Sequence, residues 1–316
     1  MTILDTDKKN TKICPYCGIR ALHKNEEYCS VCEKFLLEQE KYLIIEGTEL
    51  RNCTYGYHPT EIMVPPQITS LCRDALRKQR RLKKIIFPDS VLYIGSNALA
   101  STGLENITLP KNLRALGIAP FCYCPYLSKI EVAEGNQYFN SVDGVLFYND
   151  RKELKQYPAG KKEVSYNIPE GTEVIAEKAF AGCKNLQYIS IPHSMTIISQ
   201  RAFSGCSGLK EILIPEWVKK VDKDAFSYCT SLSKVTIPRA LYIEDAFTGC
   251  GDITIKTIGC EEHIQDTDTR TIRLKTTKKA YPDELNKIIL SRNFLKIDTF
   301  TSERILDYSA DCTEFR

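Results

Sequence analysis

The chain has 316 residues, a formal net charge of +3, and hydrophobic and charged fractions of 43% and 26%. This balance is ordinary for a soluble protein and gives only weak overall steering toward polyanions. No apolar run approaches the roughly 18–20 residues that a membrane-spanning helix needs. A chain this long exceeds what one compact core usually takes, so it points to several domains or to a fold that grows in one dimension.

The first residues, MTILDTDKKNTKICPYC, lack an apolar secretory core and a cleavage site. The expectation is therefore a cytoplasmic protein, with an extracellular location as the alternative should an export segment precede Met1. Disulfides rarely persist in the cytosol. The 14 cysteines are then metal ligands or small core residues.

Residues 1–12 are polar. Cys14-Pro15-Tyr16-Cys17-Gly18 and Cys29-Ser30-Val31-Cys32 follow, two Cys-x2-Cys pairs with 11 residues between them. Each pair sits on a tight turn that aims two sulfurs at one tetrahedral ion, at Zn–S distances of about 2.3 Å. Cys14, Cys17, Cys29 and Cys32 thus form the candidate site for one Zn2+ per chain. Four protein ligands leave no open coordination position, so the ion is structural rather than catalytic. A pair of redox dithiols is the other reading, but it needs a βαβ context that neither pair has. The segment resembles the small zinc ribbons that begin many bacterial proteins. Residues 33–41 read as a short linking helix, which completes a first unit over 1–40.

Residues 41–64 read as three short strands, Tyr42–Glu46, Glu49–Cys53 and Glu61–Val64, turning at Gly47 and Gly56. A solenoid needs a polar end to hide its first coil, and this segment is expected to supply it. From Pro65 a 23-residue period takes over, and such self-similarity is the mark of a stacked-repeat architecture. It is clearest from Pro192, where apolar or small residues fall at Met195, Ile198, Ala202, Phe203, Cys206, Leu209, Ile212 and Ile214. From Pro215 the same offsets give Val218, Val221, Ala225, Phe226, Cys229, Leu232, Val235 and Ile237. Each unit closes on Ile-x-Ile-Pro, a strand with two inward side chains ended by a proline that has no N–H to donate. The Ala-Phe pair opens a short helical or turn segment. Glycine before the cysteine (Gly182, Gly205, Gly249) suits a C-terminus that needs positive φ. About seven such coils fit between 65 and 255, interrupted by an insertion at 133–168 in which 144–148 and 154–157 read as antiparallel strands.

The pattern Cys-x2-Leu-x2-Ile-x-Ile-Pro-x2-Val-x2-Ile-x3-Ala-Phe, best seen over 183–226, resembles the BspA-like, or Treponema-pallidum-type, leucine-rich repeats. Ser141-Val142-Asp143-Gly144-Val145-Leu146-Phe147 and Tyr157-Pro158-Ala159-Gly160-Lys161 are similar to that family's spacer. The resemblance implies a mainly β/α solenoid, a right-handed leucine-rich-repeat superhelix with short parallel strands, here preceded by a small zinc ribbon. The family includes surface adhesins that bind host matrix proteins, and it has no shared catalytic residues.

Residues 256–316 lose the period and are expected to form a C-terminal cap. Within it, 270–275 alternates like an exposed strand, and Leu285, Ile288 and Ile289 have helical spacing.

Three sets of residues are weighed for function. The cysteines at one repeat position, Cys124, Cys183, Cys206, Cys229 and Cys250, read as a column of buried thiols acting as small apolar groups, in preference to a disulfide or metal ladder. The cations Arg73, Arg77, Lys78, Arg80, Arg81, Lys83 and Lys84 crowd the first coil. They are either a solvated face or a site that neutralises phosphates of a nucleic acid. The outward strand positions, Lys129, Glu131, Tyr188, Ser190, Glu211, Leu213, Lys234 and Thr236, lie on the usual docking surface of a solenoid. Four histidines with no metal-protease or phosphate-loop motif give catalysis little support. The reading is a non-enzymatic protein–protein interaction scaffold with a structural zinc ribbon. Nucleic-acid binding through the ribbon and the 73–84 segment, or a surface adhesin if exported, are the alternatives.

Overall fold

The structure, a computed structural model, describes Cys14, residues 29–241, 243 and 245–258, and the backbone of 272–274. Helix α1 (Ser30–Glu40) is followed by β1 (Leu43–Glu46) and β2 (Glu49–Cys53), an antiparallel pair, and by β3 (Glu61–Met63). After β3 each coil contributes two short strands. β4 (Ser70–Leu71) leads to β5 (Lys84–Ile86), β6 (Tyr93–Ile94) to β7 (Asn106–Leu109), and β8 (Ala115–Leu116) to β9 (Lys129–Val132). A hairpin of β10 (Phe139–Val142) and β11 (Val145–Tyr148) intervenes. Then come β12 (Glu153–Gln156) with β13 (Ser165–Asn167), β14 (Val174–Ile175) with β15 (Tyr188–Ser190), and β16 (Ile197–Ile198) with β17 (Glu211–Leu213). β18 (Lys220–Val221) with β19 (Lys234–Pro238), β20 (Ile253–Ile258) and β21 (Ile272–Leu274) end the series.

Strands from successive coils pair in parallel, forming two ladders. The first, carrying the Ile-x-Ile residues, joins β3 to β5, β7 to β9, β13 to β15, and β17 to β19 and β20. The second joins β2, β4, β6 and β8, and then β12, β14, β16 and β18. The repeat period sets the register directly, since Ile175 faces Ile198 and Ile198 faces Val221. The second ladder lies where the sequence showed only apolar contacts three and six residues past the proline.

The third side of each coil is built from turns. The sequence left helical or turn segments open here, and among the described residues α1 is the one α-helix, outside the coils. The reason is local. Arg201 (φ 55°) and Gly205 (φ 73°) bracket Ala202-Phe203 in the left-handed region, and a right-handed helix cannot run through such residues. N–H groups on this side alternate between a turn bond and the next coil. Ala202 bonds back to Ser199 (3.1 Å), whereas Phe203 bonds to Ala225 of the following coil (2.7 Å). Phe180 does likewise to Ala202 (2.8 Å), and Phe226 to Ala246 (2.8 Å). All three sides therefore satisfy backbone groups between neighbouring coils.

The core is a stack of like residues. Tyr157, Phe180, Phe203, Phe226 and Phe247 form one column with successive ring centroids 5.0, 4.7, 5.0 and 5.4 Å apart and planes within 21°. These offset stacks contribute beyond their buried area. Phe180, Phe203 and Phe226 are fully buried.

The solenoid has about nine turns, two more than the period revealed. β2 and β3 lie parallel to β4 and β5, so 49–64 already follows the path of a coil; β1 is the antiparallel strand at that end. The other extra coil lies inside the insertion. β12 pairs antiparallel with β11, as expected, but also parallel with β14, where Leu154 faces Ile175. Tyr157 then takes the ring position of the column. Gly160 is required there: a Cβ would come within 2.4 Å of the Tyr126 backbone.

The hairpin divides the core. Leu146 belongs to the apolar cluster of the N-terminal coils, while Val145 and Phe147 belong to that of the C-terminal coils. β11 is thus a shared wall buried on both faces, as alternating side chains in a strand permit. On the turn side the two halves touch directly, through Tyr123 N–H to Ala181 O (3.2 Å) and Tyr123 OH to Ser204 Oγ (3.0 Å).

The expected strand over 270–275 corresponds to β21, antiparallel on β20. The helical spacing at 285–289 lies outside the described residues. Phe203→Ala removes a fully buried ring flanked on both sides, and should cost about 3–5 kcal/mol of unfolding free energy. Denaturant titration by circular dichroism measures this, with Phe203→Leu expected to cost less.

Candidate functional site

Cys14, Cys29 and Cys32 come together, their sulfurs all within 4.8 Å of one another. Tetrahedral thiolates at about 2.3 Å from zinc stand about 3.8 Å apart, which this spacing accommodates. Cys14 and Cys32 are buried, and the Cys29 N–H donates to Cys14 Sγ at 3.4 Å. Cys29 caps α1 in an extended conformation (φ −77°, ψ 159°), and Cys32 follows in the first turn, which is how Cys-x2-Cys aims both sulfurs one way. An all-sulfur, convergent donor set, two of its three thiols buried and the third half-buried, fits zinc. Cys17 lies outside the described residues.

The repeat-position cysteines form a column beside the aromatic one. Cys206, Cys229 and Cys250 donate their S–H to the carbonyls of Phe180, Phe203 and Phe226 at 3.1, 3.2 and 3.0 Å. Cys124 does so to Leu99 at 3.2 Å. None of these is in a disulfide. Burial pushes the thiols of Cys124 and Cys206 up; at Cys229 and Cys250 the neighbouring thiol in the column and then burial do the same. This is the chemistry of small apolar residues with one satisfied donor.

All seven cations of the basic segment are exposed, but they wrap around one coil instead of lining a single strand. Arg73 follows β4, Arg77 and Lys78 lie on the turn side, and Lys84 opens β5. Carboxylates hold three of them: Asp74 on Arg77 (3.1 Å), Glu105 on Lys83 (3.3 Å) and Glu61 on Lys84 (2.8 Å). Among the described residues, Arg73, Lys78, Arg80 and Arg81 meet no carboxylate at ion-pair distance.

The hairpin also splits the strand face. Lys129 and Glu131 sit on β9, paired with each other at 2.5 Å, and the hairpin bonds to that strand through Ile130 N–H to Gly144 O (2.9 Å). The other six residues lie beyond it on β15, β17 and β19. There Tyr188 follows Ser165, Glu211 faces Lys234, and Leu213 faces Thr236. Leu213 is 54% exposed and Tyr188 43%. Glu211 and Lys234 stand on adjacent strands without closing an ion pair among the described residues. Two neighbours went unnoticed in the sequence. The Lys210 ammonium lies 5.8 Å over the Tyr188 ring, a cation–π placement, and Lys256 extends the Leu213–Thr236 row. Lys210 precedes its strand at a repeat position, so the period was its signal; Lys256 stands 20 residues after Thr236, because the last coil is shorter than the 23-residue period, and the period does not point to it. At the edge of this face His193 stacks on Trp217 (4.0 Å), whose indole N–H is tied to Pro192 O (2.7 Å).

A model of the BspA type leucine rich repeat region matches residues 50–162 and 159–271, with six copies. The chain belongs to this family. The match begins on β2, where the coil path begins. As a BspA-type repeat protein it is a repeat scaffold with solved bacterial relatives. It is 30% identical to the pneumococcal vaccine antigen PcpA, with a TM-score of 0.51, over 65% of this chain and 58% of that one. It is 24% identical to a leucine-rich repeat protein from Eubacterium ventriosum (TM-score 0.54, 64% of this chain, 60% of that). It is also 24% identical to a leucine rich cell surface protein from Faecalibacterium prausnitzii (TM-score 0.51, 63% and 60%). The last two establish likeness of fold alone, and the chain spans less than two thirds of each of the three. No curated protein matches it. In this family setting the thiol column is a structural part of the repeat. Alkylation at pH 8 should leave Cys206, Cys229 and Cys250 unmodified in the native protein and label all three in denaturant, as mass mapping would record.

Proposed function

We propose that this chain is a non-enzymatic interaction scaffold whose β15–β17–β19 face docks another protein. The observation that carries this reading is Leu213: a large apolar side chain, 54% exposed, on β17, a strand whose backbone is hydrogen-bonded to β19. Tyr188 beside it, and the charges of Glu211 and Lys234 on adjacent strands, provide an apolar centre with polar surroundings, the anatomy of protein interfaces. The rigid ladder keeps the ordering cost of binding low. Lys129 and Glu131, across the hairpin and paired with each other, contribute less. In the same reading Cys14, Cys17, Cys29 and Cys32 hold a structural Zn2+, supported by the convergence of the three described thiols. The buried thiols among the described cysteines suit a reducing, cytoplasmic setting. The likeness to the vaccine antigen PcpA is the support for the exported alternative, and fractionation of native cells decides between them.

Leu213→Asp and Tyr188→Ala should abolish capture of the partner from the native host while melting temperature and circular dichroism stay at wild-type values. Capture of every wild-type partner by both variants would remove this face as the site. A second reading, nucleic-acid binding, is favoured by the four uncompensated cations on the first coil. It expects affinity for single-stranded DNA or RNA that falls steeply with salt and drops in Arg80→Glu/Arg81→Glu. No binding at about 20–50 mM salt, where screening is weak, would dispose of it.

A further inference from the structure

The thiol cluster is built into the end of the solenoid. Cys14 and Cys32 share one apolar cluster with Leu36 of α1 and Met63 of β3, and Cys29 and Ile86 of β5 pack against it. The same helix covers a strand edge. β3 has β5 as its one strand neighbour. On its other side the Met63 N–H donates to Gln39 Oε1 (3.1 Å), and Gln39 Nε2 donates to the Met63 carbonyl. Gln39 is 3% exposed. One side chain thus makes both bonds that a further strand would make at that residue, and such an open edge otherwise invites pairing with another chain.

What keeps Gln39 there is not the helix by itself. α1 has 11 residues, no side-chain cap bond at Cys29 and no basic residue in its last turn. Helices below about 12–15 residues are marginal alone. Its buried residues are Cys32, Leu36 and Gln39, so one of its three anchors is a thiol of the cluster.

We propose that metal held by these thiolates is the latch of the N-terminal cap. It ties the first turn of α1 to Cys14 on Met63 and Ile86, and so holds Gln39 on the edge of β3. This rests on the four-cysteine zinc reading. Loss of metal leaves α1 with Leu36 and Gln39 alone, and the edge of the first sheet opens while the distant coils stay folded.

Amide hydrogen exchange on the full chain, with zinc content measured on the same samples, tests the latch. With one zinc bound, the Met63 amide should be protected. After a zinc chelator it should exchange at least ten-fold faster, with Ile212 and Val235 unchanged. Gln39→Ala should keep its zinc yet exchange fast at Met63, and Cys32→Ser should lose both. Zinc that binds and leaves with no change at Met63 overturns the latch and leaves the metal site standing. Loss of protection at Ile212 together with Met63 also overturns it, because the metal would then support the whole fold. A chain that never takes up zinc overturns the metal reading and the latch with it.

Discussion

Phe203 lies between Phe180 and Phe226, with ring centroids 4.7 and 5.0 Å away, and its N–H reaches the carbonyl of Ala225 in the next coil. No residue in this position can complete its contacts within its own coil. A single coil has about two dozen residues, three short sides and nothing beneath it, so it cannot bury its apolar face or bond its backbone alone. Every interior coil is stable because both neighbours are present. The thiol column follows the same rule, each S–H bonding a carbonyl from the preceding coil. Small size and a single donor are what that crowded position accepts.

Dependence on neighbours makes interruptions and ends the demanding places. In the middle, the hairpin joins two cores by burying β11 on both faces, with Leu146 in one and Val145 and Phe147 in the other. Tyr123 reaches across to Ala181 and Ser204 on the turn side, so the halves remain in contact where the first sheet is broken. At the N-terminal end each ladder is closed differently. β1 pairs antiparallel with β2 on the second sheet, while Gln39 of α1 occupies the edge of β3 on the first. Both devices satisfy backbone groups that another coil would otherwise have met.

Between these constraints, the outward positions of the first sheet are free to vary. Their backbones are held by the ladder, so a side chain there presents itself without ordering a loop. Beyond the hairpin this surface carries exposed Leu213 and Tyr188 with charged residues on the neighbouring positions. The basic coil differs: its cations turn around a corner, and three are already engaged by Asp74, Glu105 and Glu61. A flat face with an apolar centre suits a protein surface better than a curved strip of partly neutralised charge suits a phosphate chain.

The amino-acid pattern alone determined the solenoid, the register of its regular coils, the buried phenylalanine and cysteine columns, and the convergence of Cys14 with Cys29 and Cys32, because each depends on residue type recurring at a set spacing. The tertiary structure decided what spacing does not encode. The turn side stays non-helical because Arg201 and Gly205 adopt left-handed backbone. Residues 49–64 and 153–167 become coils, although they lack the Ala-Phe signature, because their strands find parallel partners at β4, β5, β14 and β15. The outward strand face is divided because the hairpin lodges against β9. Gln39 caps an edge from a segment that reads only as a linking helix. Each of these outcomes arises from contacts between stretches far apart in the chain, whose energy belongs to the pair and is written in neither partner by itself.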